Sequence, residues 1–170
     1  MAPIKRSEFI VALSIDHHAG LLFCWKIKEG IKKNAPLEKI QDYVHFFWNH
    51  HLKEHFREEE ELLYNRVDDD LSRQGKSEHK MLEQRVNQLN PHSSNAQEYI
   101  EFADLMTKHI RFEERILFPH MEATLPEATL KQVGEYLSNQ HSVLPIDNYP
   151  DEFWSKNYPS NLRSLDNSTE

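Results

Sequence analysis

The chain has 170 residues, a net charge of −8 at pH 7 and one cysteine. Its length suits a single domain with one core, its acidic balance excludes nucleic acid as the main partner, and its lone cysteine excludes an internal disulfide and favours the cytoplasm. No stretch approaches the roughly eighteen apolar residues of a membrane-spanning helix, so no membrane contact is expected.

The composition is that of a helical protein with an unusual number of histidines. The chain has only four glycines, which are the residues that break helices, but it has eleven histidines. Histidine binds metals and titrates near neutral pH, so the positions of these residues decide what they do.

The first predicted helix has one face of apolar and small residues, and His17 lies on that face. The face consists of Leu13, Gly20, Leu21, Cys24, Ile27 and Ile31. Ser14 is the predicted N-cap, with Asp16 in the first turn. The helix is expected to end between Gly30 and Pro36. The apolar run before Asp16 is short and lacks a cleavage pattern, so export is not expected.

The second predicted helix runs from Pro36 to about Arg66 and includes three titratable side chains in its apolar stripe. The stripe comprises Leu37, Ile40, Val44, Phe47, Trp48, His51, His55, Glu59 and Leu62. After this helix, the run of Asp68, Asp69 and Asp70 is predicted to form a solvated acidic turn.

The third predicted helix carries His79 on an apolar face with Leu82, Val86 and Leu89. It ends before Pro91, because proline cannot continue a helix. The sequence does not fix where this helix begins.

The fourth predicted helix starts near Asn95 and carries His109 and Glu113 on its apolar face. Pro119 is expected to close or kink it. A shorter fifth helix is predicted for the segment EATLKQVGEYLSNQH.

Long amphipathic helices with modest connections predict an all-α, up-down-up-down four-helix bundle with a short extra helix over residues 1–140. Residues 141–170 are rich in Pro, Asn, Ser and Asp, which predicts an extended or partly disordered C-terminal tail. The tail aromatics Phe153, Trp154 and Tyr158 indicate that part of it packs on the bundle or on a second subunit.

One ten-residue pattern occurs twice in the chain. HFREEEELLY, from His55, and HIRFEERILF, from His109, share His, Arg, two consecutive Glu, Leu and a final aromatic residue at matching positions. Residues four apart lie on the same face of a helix, so each copy presents a histidine and a glutamate, Glu59 or Glu113, to one point.

The two remaining helices each place one histidine on the inward face, directly after an acidic residue. Six side chains are therefore expected to meet in the core: His17, His55, Glu59, His79, His109 and Glu113. Burying such groups without partners costs several kcal/mol, and a bound metal would remove that cost.

Two carboxylates and four imidazoles are too many ligands for one tetrahedral zinc ion. A pair of ions bridged by both glutamates, with two histidines on each ion, uses every group and leaves coordination positions open. Iron suits this mixed nitrogen and oxygen ligation best, and manganese or a mixed pair is the alternative.

These motifs resemble those of hemerythrin-like, or HHE cation-binding, domains. The resemblance covers about residues 10 to 122 and rests on DHH at 16 to 18, HFREEEELLY, EHKML at 78 to 82 and HIRFEERILFP. It implies an oxo- or hydroxo-bridged di-iron centre in which Glu59 and Glu113 bridge. The implied terminal ligands are His17, His55, His79 and His109. The family pattern permits His17 or His18 in the first helix, and the apolar face favours His17.

The sequence departs from the oxygen-carrying members of this family. Carriers have two histidines one turn apart in the third helix, whereas Gly75 and Glu83 lie one turn to either side of His79 here. The carriers also use Asp at i+5 in the fourth helix, whereas this chain pairs His109 with Glu113 at i+4. These differences resemble the branch with four histidines and two glutamates, whose members sense iron or oxygen, handle peroxide or nitric oxide, or repair iron centres.

By this resemblance, the chain is predicted to be a non-haem di-iron protein that interacts with O2, peroxide or NO, in sensing, binding or an oxidative-stress response. The alternatives are a peroxide-reducing or iron-centre repair enzyme, an O2 carrier or storage protein, and a partner-binding bundle with an incidental metal. The sequence leaves open whether the protein is an enzyme and which protein partner it has.

The sequence also predicts where several other residues near the motifs lie. Glu60 and Glu114 are expected to face outward and pair with arginine or water, and Glu58 is expected to be a solvated acid or an accessory ligand. His120 is expected at the surface, and Cys24 in the core.

Overall fold

The computed structural model describes residues 6–141 and 147–160, and every regular element in these two ranges is helical. The helices are α1 (Val11–Lys32), α2 (Leu37–Phe47), α3 (Lys53–Leu62), α4 (Asp70–Gln88), α5 (Ala96–Phe112), α6 (Phe118–Thr124) and α7 (Glu127–Gln140). The predicted all-α class is confirmed, and α7 lies where the fifth helix is expected.

Two π-helical turns join neighbouring helices into longer continuous runs. The turn Trp48–Leu52 lies between α2 and α3, and the turn Glu113–Leu117 lies between α5 and α6. Together with α1 and α4, these runs form four long helical stretches at the places where the sequence predicts them. Such turns are rare, and they are frequently found at functional sites. One of them begins at Glu113 itself.

The start of α1 differs from the prediction. Ser14 is not the N-cap, because the helix begins at Val11 and Ile10 takes the cap position without a side-chain hydrogen bond. Ile10 and Leu13 are fully buried in a cluster with residues of α6 and α7, and this packing sets where the helix begins. Ser14 lies inside the first turn and donates its hydroxyl to Glu114 Oε1 over 2.7 Å.

The caps of α4 and α5 follow sequence signals. Asp69 accepts a hydrogen bond from the Ser72 amide at 2.9 Å, so the acidic turn supplies the N-cap of α4. Asn95 starts α5 as predicted, because its side chain accepts from the Glu98 amide while the Glu98 carboxylate accepts from the Asn95 amide at 2.7 Å. This reciprocal pair is a capping box.

Pro119 does not end the fourth helical stretch, which continues to Thr124. In a π-helical turn, each amide bonds the carbonyl five residues back, and Pro119 has no amide hydrogen to donate to the Glu114 carbonyl. The guanidinium of Arg6 donates to that carbonyl over 2.6 Å. Of the two outcomes expected at Pro119, closure of the helix is therefore wrong, and the helix is instead irregular there, with the π-helical turn Glu113–Leu117 directly before α6.

Two hydrophobic clusters fill the interior, one around Phe102 and the other around Phe118. Buried histidines contact both clusters. His17 stacks on Phe118 with ring centroids 5.1 Å apart, and His79 stacks on Phe56 of the first cluster at 3.9 Å. The polar core residues therefore lie where the two clusters meet, enclosed by apolar side chains.

Part of the predicted tail packs on the bundle. Phe153 is fully buried, and it fills the space beside Gly30 so closely that a Cβ there would overlap its ring. Asp147 accepts hydrogen bonds from Lys26 at 2.7 Å and from the Tyr43 hydroxyl at 2.5 Å. These contacts fix the segment against α1 and α2.

Residues 142–146 and 161–170 of the predicted tail lie outside the described residues. Within the described ranges, no helix combines the length and the apolar character that crossing a bilayer requires.

Candidate metal centre

Six polar side chains are buried at one point of the core, and they are the six expected from the sequence. They come from α1, α3, α4, α5 and the first residue of the second π-helical turn. Each is at most 5% exposed: His17, His55, Glu59, His79, His109 and Glu113.

The six side chains form two groups that share both glutamates. One group is His17 and His55 with Glu59 and Glu113, and the other is His79 and His109 with the same two glutamates. Within each group, the candidate ligand atoms all lie within 4.8 Å of one another. The arrangement therefore offers two adjacent cation positions between a pair of common carboxylates.

The Nε2 atoms of the histidines point at the carboxylate oxygens. His17 Nε2 lies 3.0 Å from Glu59 Oε1 and 2.9 Å from Glu113 Oε2. His55 Nε2 lies 3.0 Å from Glu59 Oε1, and His109 Nε2 lies 3.0 Å from Glu113 Oε1.

Several nitrogen and oxygen atoms of the six central side chains are buried without a hydrogen-bond partner. Whether these residues suit a metal ion depends on these atoms. The atoms in question are His55 Nε2, His79 Nε2, His109 Nε2, Glu59 Oε2 and Glu113 Oε2. Each of these imidazole nitrogens is near a carboxylate oxygen but at an angle that does not make a hydrogen bond. Buried polar atoms are rarely left unpaired in proteins. Imidazole nitrogens and carboxylate oxygens converging in this way are a suitable ligand set for a transition-metal ion.

A second ring of carboxylates holds the other nitrogen of every histidine. Each Nδ1 donates to an acid on a neighbouring helical stretch: His17 to Glu114 at 2.7 Å, His55 to Asp16 at 3.3 Å, His79 to Glu60 at 2.8 Å and His109 to Glu78 at 2.8 Å. With Nδ1 protonated, a neutral imidazole keeps its Nε2 lone pair directed at the centre.

The prediction that Glu60 and Glu114 face outward is therefore wrong. Glu114 does pair with Arg6 at 2.7 Å, but it also holds His17, and burial of its side chain is countered by these partners so that its pKa falls to about 2. The sequence feature that marks these acids is their position beside a core ligand, because each one directly precedes a core histidine or follows a core glutamate. Helical periodicity alone assigns such neighbours to another face.

The final aromatic residue of each repeated motif packs on a histidine. Phe118 stacks on His17, and Tyr64 stacks on His79 with ring centroids 5.4 Å apart, in addition to Phe56 at 3.9 Å. The Tyr64 hydroxyl, which is fully buried, also donates a hydrogen bond to Glu113. The two copies differ here, because Phe118 has no hydroxyl with which to bind the other glutamate.

The structure also places the residues that the sequence assigns to other roles. His18 is exposed, whereas its neighbour His17 is buried in the centre. Cys24 is in the core as predicted, and burial raises the pKa of its thiol to about 12. His120 is partly exposed and pairs with Asp69.

Without a metal, the carboxylates favour the protonated imidazoles. Burial opposes protonation of His17, yet hydrogen bonds to Glu113 and other carboxylates raise its pKa well above the ordinary value. Burial likewise opposes protonation of His55, but the charge of Glu59 and the hydrogen bond to Asp16 raise its pKa to about 9. Metals bind the neutral imidazole, so protons compete with metal for these nitrogens.

The metal-free protein is expected to lose stability as the pH rises from 6.5 to about 9. The folded-state pKa of His55 is above its unfolded value of 6.5, so the stabilisation is fully present below pH 6.5 and is lost as the pH rises through about 9. In the metal-loaded protein, the imidazole is a neutral ligand and this loss is absent. Melting temperatures of both forms at pH 6 and pH 9 measure the effect, and parallel changes in the two forms would contradict it.

A family model described as the hemerythrin HHE cation binding domain matches residues 70–144. This match confirms the resemblance to the hemerythrin-like family over residues 70–144. Neither a curated protein nor a solved structure matches the chain.

The hemerythrin-like match extends from α4 to α7. It includes His79, His109 and Glu113, which are three of the six side chains at the centre. The other three precede the matched range, and the structure brings them to the same point.

Replacing Glu78 by glutamine is expected to weaken metal binding by roughly 10–100-fold, because His109 loses the charged acceptor for its Nδ1 hydrogen. Competition with a chelator measures the affinity. Glu83→Gln, an exposed position on the same helix, is the control and should leave it unchanged. Equal affinities of the two variants would show that the outer acid contributes nothing to binding.

Proposed function

We propose that this hemerythrin-like chain binds two metal ions, and that these are iron. His17 and His55 would hold one ion, His79 and His109 would hold the other, and both glutamates would bridge. The observation that carries the proposal is the presence of two ligand groups that share Glu59 and Glu113.

The ligand chemistry supports iron over the common alternatives. Structural zinc sites are built from four ligands, and magnesium and calcium sites are built from oxygen ligands alone. A mixture of imidazole and carboxylate with open coordination positions is typical of non-haem iron. Manganese, alone or paired with iron, has similar ligand preferences and is therefore the second candidate.

We propose further that the centre interacts with a small oxidant, namely O2, peroxide or NO. When bound, a redox-active iron pair supplies open positions at which such molecules can bind and be reduced. The protein's own contribution is to orient the imidazoles through their Nδ1 carboxylates and to exclude bulk water with Phe56, Tyr64 and Phe118. Access is available beside His55 and beside His79, because each of these histidines lines a surface cavity.

Two further predictions, the directions of the helices and the location of the protein, are also part of this proposal. We infer that the four helical stretches alternate in direction, because the connections at residues 33–36, 63–69 and 89–95 are short enough to favour antiparallel neighbours. We also propose a cytoplasmic location, which is supported by a free, buried Cys24 and by the absence of any need for disulfides.

Visible spectroscopy of the iron-loaded protein tests the oxidant proposal. We expect the spectrum to change when O2, hydrogen peroxide or NO is added, and an unchanged spectrum with all three would contradict the proposal. Repeated consumption of peroxide without loss of protein would favour the peroxide-reducing enzyme. Reversible binding of O2 would favour a carrier or storage protein.

Of the two adjacent histidines in α1, we expect His17→Ala to lower the metal content of the purified protein and His18→Ala to leave it unchanged. His17 is 2% exposed and faces both glutamates, whereas His18 is exposed. Because the two residues are neighbours on one helix, each variant controls for the other. A larger loss in His18→Ala would transfer the ligand role to His18.

A further inference from the structure

A separate cluster of metal-ligating side chains lies outside the central six, beside His55. Its members are Asp16 of α1, Glu58 of α3 and His141 directly after α7, and their candidate ligand atoms lie within 4.8 Å of one another. The expectation that Glu58 is a solvated acid is wrong, because only 2% of the residue is exposed. It is instead held in the wall of the bundle by its contact with His141.

His141 lies between the two carboxylates of this cluster and faces each of them with a different ring nitrogen. His141 Nε2 lies 2.7 Å from Glu58 Oε2, and His141 Nδ1 lies 3.4 Å from Asp16 Oδ2. A protonated His141 brings one positive charge to two carboxylates, whereas a divalent cation would balance both. The imidazole selects transition metals, since magnesium and calcium prefer oxygen ligands.

The cluster opens onto a cavity of about 250 Å³ that also reaches His55. This volume holds a cation together with several of its water ligands, because one water molecule occupies about 30 Å³ in the liquid. Within the described ranges, the lining contains no lysine or arginine, so no fixed cation in the wall repels an incoming one. His51 is part of the same lining, and burial lowers the pKa of its imidazole and so favours its neutral form.

We propose that Asp16, Glu58 and His141 form an outer site for one divalent first-row transition-metal ion. Asp16 links this site to the centre, because its Oδ2 lies 3.3 Å from His55 Nδ1 as well as beside His141. The outer site is therefore also an intake position from which a cation passes to the buried centre, and this second role rests on the proposed two-metal centre.

Calorimetric titration of the metal-free full chain with Zn²⁺ tests the outer site. The expected count is three ions per chain for the wild type and two for His141→Gln and for Glu58→Gln. His120→Gln is the control, because His120 is likewise a partly exposed histidine that pairs with a carboxylate, Asp69, and its count should stay at three. Circular dichroism of each variant establishes that the helices are retained.

The possible counts separate this proposal from the proposed function. Two ions in both the wild type and His141→Gln would overturn the outer site while keeping the centre. One ion in the wild type and none in His141→Gln would support the outer site and contradict the two-metal centre.

The rate of anaerobic Fe²⁺ uptake tests the intake role. We expect His141→Gln to fill the centre to the same final level as the wild type but roughly tenfold more slowly, because the local cation concentration beside His55 falls. Equal uptake rates in the two proteins would overturn the intake role.

Discussion

Replacing Glu59 by alanine is expected to leave the protein with less than one tightly bound metal ion per chain. Glu59 belongs to both ligand groups, so its removal takes an oxygen ligand from each of the two cation positions. Its oxygens lie within about 3.2 Å of the Nε2 atoms of His17, His55 and His79. The loss should exceed the roughly 10–100-fold weakening expected when only an outer partner of a ligand is removed.

The same substitution also affects the metal-free fold. Without Glu59, the buried imidazolium groups lose an opposite charge, and breaking a buried charge pair costs about 3–5 kcal/mol. Glu59→Gln keeps the volume of the side chain and is the second variant, so that metal loss can be measured in a protein that retains its packing. Glu61→Ala is the control, because Glu61 is exposed on the same helix and pairs with Arg57.

Metal analysis of the purified variants, each checked by circular dichroism, gives the result. The expected order of metal content is wild type equal to Glu61→Ala, with both Glu59 variants far below. Full metal retention in a folded Glu59→Gln protein would contradict a shared role for this carboxylate.

Replacing Phe153 by alanine is expected to destabilise the whole domain by about 3–5 kcal/mol, the usual range for a buried phenylalanine. Phe153 has no exposed surface and packs on the rings of Tyr43, at 5.5 Å, and Trp154, at 5.0 Å. Its ring also occupies the gap left by the missing side chain of Gly30. The cavity left by alanine would open beside α1 and α2.

Thermal unfolding measures this effect as a decrease of roughly 6–20 °C in the melting temperature, given about 2–4 °C per kcal/mol for a chain of this size. Trp25→Ala is the control, because Trp25 is a large aromatic residue that is 50% exposed, and its removal should change stability by about 0.5 kcal/mol or less. A loss below about 1 kcal/mol in Phe153→Ala would show that the tail segment does not stabilise the bundle.

The positions of the six central residues could be predicted because a helix repeats every 3.6 residues. The spacing from His55 to Glu59 and from His109 to Glu113 puts each pair on one face, and a face that is otherwise apolar must turn inward. The structure brings these residues together, although the sequence did not say which histidines share a cation position.

The outer carboxylates and Glu58 were missed because their partners lie on other helices. Periodicity describes the faces of one helix, and it places Glu60 and Glu114 beside the inward stripe without showing that His79 and His17 are within reach. The alternation of acids and core ligands along the chain was visible, but its meaning depends on how neighbouring helices are positioned around the centre.

The π-helical turns likewise could not be predicted from a pattern based on 3.6 residues per turn. The turn Trp48–Leu52 adds a residue to the helical repeat, so the stripe predicted through His51 is rotated, and His51 lines a cavity instead of the centre. Packing of Ile10 and Leu13 moved the start of α1 in a similar way. Tertiary contacts, which the local sequence does not contain, decided both features.

The metal content of the wild-type protein, determined together with its visible spectrum, tests the two-metal centre most directly. We expect two tightly bound ions per chain at the central ligands, identified as iron by elemental analysis and by absorption in the visible range. A folded protein that binds no metal at these residues, or only a single ion shared among all six, would contradict it.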